Sequence, residues 1–143
     1  MSFLGGMDIS ASGLTAQRLR MDVISENIAN MDTTRTQDGT PYKRKYLVLQ
    51  EQTNRFSDVL GSSGSEAAGG VKAVQIGEDT SQGDMVFNPT HPDADEDGYV
   101  EMPNVDLSQE MVDMISAYRS YEANVTAFNA YKDMAVKTLE IGT

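Results

Sequence analysis

Both ends of this 143-residue chain carry the spacing of long helices, and that constrains its fold more than any other feature. Between about Asp8 and Met31, the residues Leu14, Met21, Ile24, Ile28 and Met31 step by seven, three, four and three, an a/d seam interrupted at Gln17. Ile9, Leu19 and Val23 fall off that seam, so this helix is apolar on more than one face and needs cover from more than one side. From Leu107 onward, Met111, Met114, Tyr118, Tyr121, Val125, Phe128, Ala135 and Leu139 repeat the alternation of threes and fours, broken only at Lys132. Val112, Ile115, Tyr131, Met134 and Ile141 decorate other faces. Pro103 marks the boundary ahead of this helix, Asp106 with Gln109 three residues on predicts a capping box, and Gly142 suits its end.

The middle of the chain has a different texture. TPYKRKYLVLQEQ (40–52) follows a turn and is rich in Tyr, Leu and Val, so it reads as a strand; VKAVQIG (71–77) and MVFN (85–88) read as shorter ones. GSSGSEAAGG (61–70) has too little apolar surface to fold and is expected to be a flexible loop. HPDADEDGYVEMPN is expected to run extended into the second helix. The expected fold class is α+β, with long N- and C-terminal helices paired as a coiled-coil layer and a small β-rich insertion between them. Its parts are 1–34, 35–104 and 105–143, with the last segment pairing with the first.

Charge and composition exclude several functions. There are 22 acidic and 11 basic residues, a net charge of −11, and between residues 61 and 106 the one fixed positive charge is Lys72. Such a surface repels nucleic acid and anionic lipid. The cluster Lys43-Arg44-Lys45 reads as a solvated strand edge sooner than as a phosphate site, with an acidic neighbour as a further reading. No cysteine is present, so there is neither a disulfide nor a thiolate nucleophile. No run approaches the roughly 20 apolar residues needed to span a bilayer. MSFLGGMDISASGL lacks the regions of a cleaved secretory signal, so the chain is expected in the cytosol unless it leaves by a route that needs none.

One loop has the look of a metal site. In DADEDGYVEMPN (93–104), Asp93, Asp95 and Asp97 alternate before Gly98, like the first half of an EF-hand loop. The loop lacks its frame, because Pro89 and Pro92 forbid an entering helix and its twelfth residue is Asn104, not a bidentate Glu. An Asp/Gly turn is the better reading, and no cofactor or metal is assigned. The alternative function kept open is an acidic coiled-coil binding module with a weak divalent-cation loop at 93–104. His91 is the only histidine and sits between Thr90 and Pro92 with no nucleophile elbow near it, so catalytic residues are not assigned and an enzyme is not expected.

Two stretches are more particular than their periodicity. SGLTAQRLRMDVISENIANMDTT (12–34) and VDLSQEMVDMISAYRSYEANVTAFNAYKDM (105–134) resemble the paired terminal signatures of the bacterial flagellar axial proteins, the rod, hook and hook-associated family. PYKRK (41–45) and NPTHPDADEDGYVEMPNVDL (88–107) are similar to its proximal-rod members. The resemblance implies a structural subunit of the periplasm-crossing drive shaft, exported by the flagellar type III apparatus without a cleaved signal. It also implies terminal helices in the inner layer of a tube. The implied partners are further copies of itself, other proximal rod proteins, the rod adaptor and MS ring at the base, and the distal rod protein. Nucleic acid and small-molecule substrates are not among them.

The residues expected to carry packing and assembly are Leu14, Met21, Ile24 and Ile28 against Met114, Tyr121, Val125 and Phe128, within one subunit or across subunits. Met111 and Tyr118 continue the second stripe. Asn27 and Asn30 are expected to fix register by hydrogen bonding, with a simple C-terminal cap as the plainer role of Asn30.

Overall fold

The computed structural model describes residues 3–52 and 69–141. Helix α1 (Phe3–Ala29) and helix α2 (Leu107–Ile141) flank four strands: β1 (Lys45–Glu51), β2 (Val71–Glu78), β3 (Met85–Phe87) and β4 (Tyr99–Glu101). The architecture is α+β, two long terminal helices with a small antiparallel insertion between them. Most of the expected loop at 61–70 lies outside the described residues.

Local chemistry sets where each helix begins and ends. Asp106 caps α2, its Oδ1 accepting from the N–H of Ser108 at 2.7 Å and of Gln109 at 3.4 Å. The capping box is half formed, because the Gln109 amide donates to Asp113 instead of reaching back. At the end of α1, the Asn30 side chain donates to the Glu26 carbonyl at 2.9 Å and closes the last turn. The chain then turns at Thr36–Thr40, where Gly39 takes a positive φ of 80°, and Tyr42 returns to the helix end by donating its N–H to the Thr33 carbonyl.

The helices run antiparallel in close contact. Gly6 lies under the ring of Tyr131, Gly13 under the Asn124 amide, Arg20 beside Asp113 and Asn27 beside Glu110. A Cβ on Gly6 would approach the Tyr131 ring to 2.7 Å, so the missing side chain is what lets the backbones come near.

Strands β1 and β2 form an antiparallel hairpin from Lys45 opposite Glu78 to Glu51 opposite Val71, with a bulge that leaves Val74 unpaired. The hairpin lies along α1, pinned at one end where the Val71 N–H donates to Ser12 Oγ at 3.1 Å. The strand is shorter than expected from 40–52. Its ladder begins only at Lys45, because the Arg44 N–H is taken by the side chain of Asn104 at 2.7 Å. Residues 91–104 do not run extended. Gly98, with φ +81°, folds the segment back, and Tyr99–Glu101 pairs with Met85–Phe87. Across that small hairpin Phe87 and Tyr99 meet edge to face, with centroids 5.3 Å apart.

Little of this is a core. Among the described residues, Pro103 apart, only Ala16, Val23, Ile24, Tyr42, Val100 and Ala117 are buried apolar side chains. Six such residues are too few to hold two helices of this length by burial alone.

Candidate assembly site

The one deeply buried polar cluster among the described residues lies where α1, β1 and α2 meet. Asn27 and Glu110 are both fully buried, at 0% exposure. The Asn27 amide donates to the Lys45 carbonyl at 2.8 Å and to Glu110 Oε2 at 3.1 Å. Its oxygen accepts from the Lys45 N–H and from the Tyr42 hydroxyl, each at 2.9 Å. All four of its hydrogen-bonding positions are filled, the condition for burying an amide without loss.

Charge in the cluster is balanced. Arg44 donates from Nε to Glu110 Oε1 at 2.6 Å and from its terminal amine to Asp113 at 3.3 Å, and Arg20 reaches Asp113 at 3.6 Å. Lys45 pairs with Glu26 at 2.6 Å, and Lys43 with Glu101 at 3.2 Å. The basic cluster is therefore not a solvated edge, since each of its three cations meets a carboxylate. Tyr42, buried and facing Glu26, Glu110 and Glu78, has its hydroxyl pKa pushed up to about 12, burial being the largest cause. Sequence reasoning passed over Tyr42 and Glu110, and weighed Arg44 only within the basic cluster and Asn104 only as the twelfth residue of the acidic loop. The available signal was Glu110 itself, an acid one turn before Met114 on a helix that otherwise repeats apolar residues at that spacing.

The seam between the helices is not the most apolar face of either. On α1 it follows Gly6, Ser10, Gly13, Gln17, Arg20, Ile24 and Asn27; on α2 it follows Glu110, Met114, Ala117, Tyr121, Asn124, Phe128, Tyr131 and Ala135. Small and polar residues dominate the α1 side, and the Gln17 oxygen is buried there without a partner. The apolar stripe Met7, Leu14, Met21 and Ile28 runs beside this seam and is only half-buried. On α2, Leu107, Met111, Ile115 and Tyr118 also run beside the seam, with Met111 at 54%, Ile115 at 54% and Tyr118 at 58% exposure. At about 100° per residue both stripes fall on the same side of the helix pair, away from the β1–β2 hairpin.

Of the residues singled out from sequence, Ile24 and Asn27 are buried, and Leu14, Met21, Ile28, Asn30, Met114, Tyr121, Val125 and Phe128 are half-buried. Asn27 meets Glu110 across the seam, and by helical spacing Ile24, Met114, Tyr121 and Phe128 fall on the seam side of their helices. Met111 and Tyr118 stand outside it on the free face.

The acidic loop is engaged elsewhere. Asp93 accepts from the Thr34 hydroxyl at 2.9 Å and from Arg35 at 3.4 Å, and its own N–H donates to His91 Nδ1. Asn104, the loop's twelfth residue, clasps Arg44 on one side and Asp79 and Ser81 on the other. Among the described residues no three acidic or histidine side chains gather as a metal would require. No described helix is long and apolar enough to cross a membrane.

Comparison with known proteins gives consistent matches. The sequence model described as flagella basal body rod protein matches residues 7–36, and that described as flagellar basal body rod FlgEFG protein C-terminal matches residues 96–141. The chain is 54% identical to the flagellar basal-body rod protein FlgC of Bacillus subtilis (strain 168), over 99% of both chains. It is 43% identical to that of Borreliella burgdorferi, over 99% of this chain and 98% of the relative. Against that of Escherichia coli O6:H1 the identity is 42%, over 99% of both.

Proposed function

The chain belongs to the FlgC family of flagellar basal-body rod proteins, and from that membership we propose that it is a structural subunit of the proximal rod. The family is structural, and the chain is not an enzyme. In this reading the terminal parts, 1–34 and 105–143, build the inner wall of the rod and 35–104 stands outside it. The subunit reaches its place through the flagellar type III export apparatus. Its neighbours are further copies of itself, other proximal rod proteins, the rod adaptor and MS ring, and the distal rod protein.

One observation carries the reading. The helix pair places small and polar residues on its internal seam and leaves the apolar stripe Leu107, Met111, Ile115 and Tyr118 exposed, with Met7, Leu14, Met21 and Ile28 half-buried on the same side. An exposed apolar stripe of that kind is the mark of an interaction surface. A subunit with neighbours on that side covers it; an isolated chain does not.

The test is complementation in a flagellated bacterium lacking its own copy. Met111→Glu with Tyr118→Glu places two charges on the free face without touching the seam. Loss of motility and of rod-containing basal bodies, with normal levels of folded chain, is the expected result. Full motility from the double variant sinks the proposal.

A further inference from the structure

The helix seam nearly repeats itself every seven residues. Gly6 and Gly13 are one heptad apart, and so are Asn124 and Tyr131, Met114 and Tyr121, and Tyr121 and Phe128. If α2 moved one heptad along α1, or about 10 Å, Tyr131 would leave Gly6 and seat over Gly13, which offers the same bare backbone. Ile24 would exchange Met114 for Tyr121. Those contacts scarcely distinguish the two alignments, and neither does the seven-residue repeat of Met7, Leu14, Met21 and Ile28 beside them.

Asn27 and Glu110 do distinguish them. In the observed register each is fully buried, and the two are bonded to one another at 3.1 Å. Shifted by a heptad, Asn27 faces Ala117, which accepts nothing, and Glu110 loses both Asn27 and Arg44, whose strand stays with α1. A single buried polar residue in a coiled coil selects register by this same penalty on wrong alignments.

We propose that the buried Asn27–Glu110 pair selects the register of α1 against α2, the more exposed Arg20–Asp113 pair at 3.6 Å being the weaker discriminator across the same seam. The inference deepens the assembly reading but does not depend on it, because it is tested on the isolated full-length chain, whereas that reading fails through motility. The chain has no cysteine, so spin labels placed at Asp22→Cys and Asn129→Cys, both on exposed helix positions, report one distance between the helices. These sites lie about 21 Å apart along the axis, and a slide that seats Tyr131 over Gly13 halves that offset, so their separation shortens by roughly 5 to 8 Å once the sideways distance between the helices is included.

The chain with Asn27 and Glu110 intact is expected to give one narrow distance by pulsed electron–electron double resonance. Glu110→Leu is expected to keep its helix content yet add a second population shorter by roughly 5 to 8 Å, of weight comparable to the first. A single unshifted distance in Glu110→Leu overturns the proposal and leaves the register to the remaining contacts, Arg20–Asp113 and the Asn104 clasp ahead of α2. If Glu110→Leu loses its helix, Glu110→Met is read in the same way. Loss of helix in both variants also overturns it, since the pair would then supply stability and not choice. A broad distribution with the pair intact has the same force.

Discussion

The side-chain amide of Asn27 pairs with the backbone of Lys45 as a neighbouring strand would, donating to its carbonyl at 2.8 Å and accepting from its N–H at 2.9 Å. A helix residue thereby fixes where the first strand starts. Asn27→Leu strands both Lys45 groups, the Tyr42 hydroxyl and one Glu110 oxygen, so it is expected to cost about 3 kcal/mol or more. Asn30→Ala removes a cap at the helix end and is expected to cost about 1 kcal/mol. Urea unfolding of the two variants checks this, and equal shifts would show that the buried amide is not special.

Tyr42 links the same cluster to pH. Its folded pKa of about 12 lies above the ordinary 10.0, so folding favours the neutral phenol. Its contribution is intact below pH 10 and falls as pH rises from 10 towards 12, by about 2 to 3 kcal/mol in all. Tyr42→Phe is expected to be less stable at pH 7 by about 1 kcal/mol through the lost bond to Asn27, and to show a shallower alkaline decline. Denaturation midpoints between pH 8 and 11.5 give both slopes. Parallel slopes would mean that the phenol is not the group responsible.

The α1 glycines divide by what lies above them. At Gly5 a Cβ would meet nothing within 4 Å, so Gly5→Ala is expected to be neutral or to stabilise by up to about 1 kcal/mol. Gly13→Ala brings a methyl to 2.9 Å from the Asn124 amide, and Gly6→Ala one to 2.7 Å from the Tyr131 ring. Each is expected to cost about 1 to 3 kcal/mol through overpacking. Thermal melts of the three variants rank them.

Substitutions on the two faces of α2 should separate folding from assembly. Met111→Glu, on the free face, is expected to change stability by less than about 0.5 kcal/mol. Ala117→Glu, in the seam, buries an unpaired carboxylate and is expected to unfold the helix pair. Circular dichroism on the isolated chains distinguishes them, and a large loss from Met111→Glu would place that residue in the seam after all.

Much of the fold was legible in the sequence because it depends on local pattern. The two helices announce themselves through threes and fours, α2 through Asp106 as well, and β2 and β3 through short β-rich runs between turns. β4 was not legible, because Tyr99–Glu101 becomes a strand only when Gly98 folds it onto β3, a pairing between residues distant in the chain. The seam was misleading for a different reason. Periodicity finds the most apolar stripe of a helix, and here the closest packing uses Gly6, Gly13 and Asn27, which a hydrophobicity pattern ignores. Glu110 was overlooked on the same ground, as a charge is read as solvated until a partner such as Arg44 is placed beside it.

The β1–β2 hairpin and α1 are two rulers with different graduations, laid side by side and coincident at two marks. One mark is Lys45 on Asn27; the other is Val71 on Ser12. The helix covers that interval in fifteen steps of about 1.5 Å, roughly 23 Å, and β1 covers it from Lys45 to Glu51, which lies opposite Val71, in six steps of about 3.3 Å, roughly 20 Å. A residue inserted into either ruler alone breaks one coincidence. Restoring both the span and the facing sides takes whole heptads in the helix and even numbers in the strand, with two heptads against six strand residues as the nearest match, at about 21 Å and 20 Å. Changes of length in this part of the chain are therefore expected to fall outside the stretches Ser12–Asn27 and Lys45–Glu51.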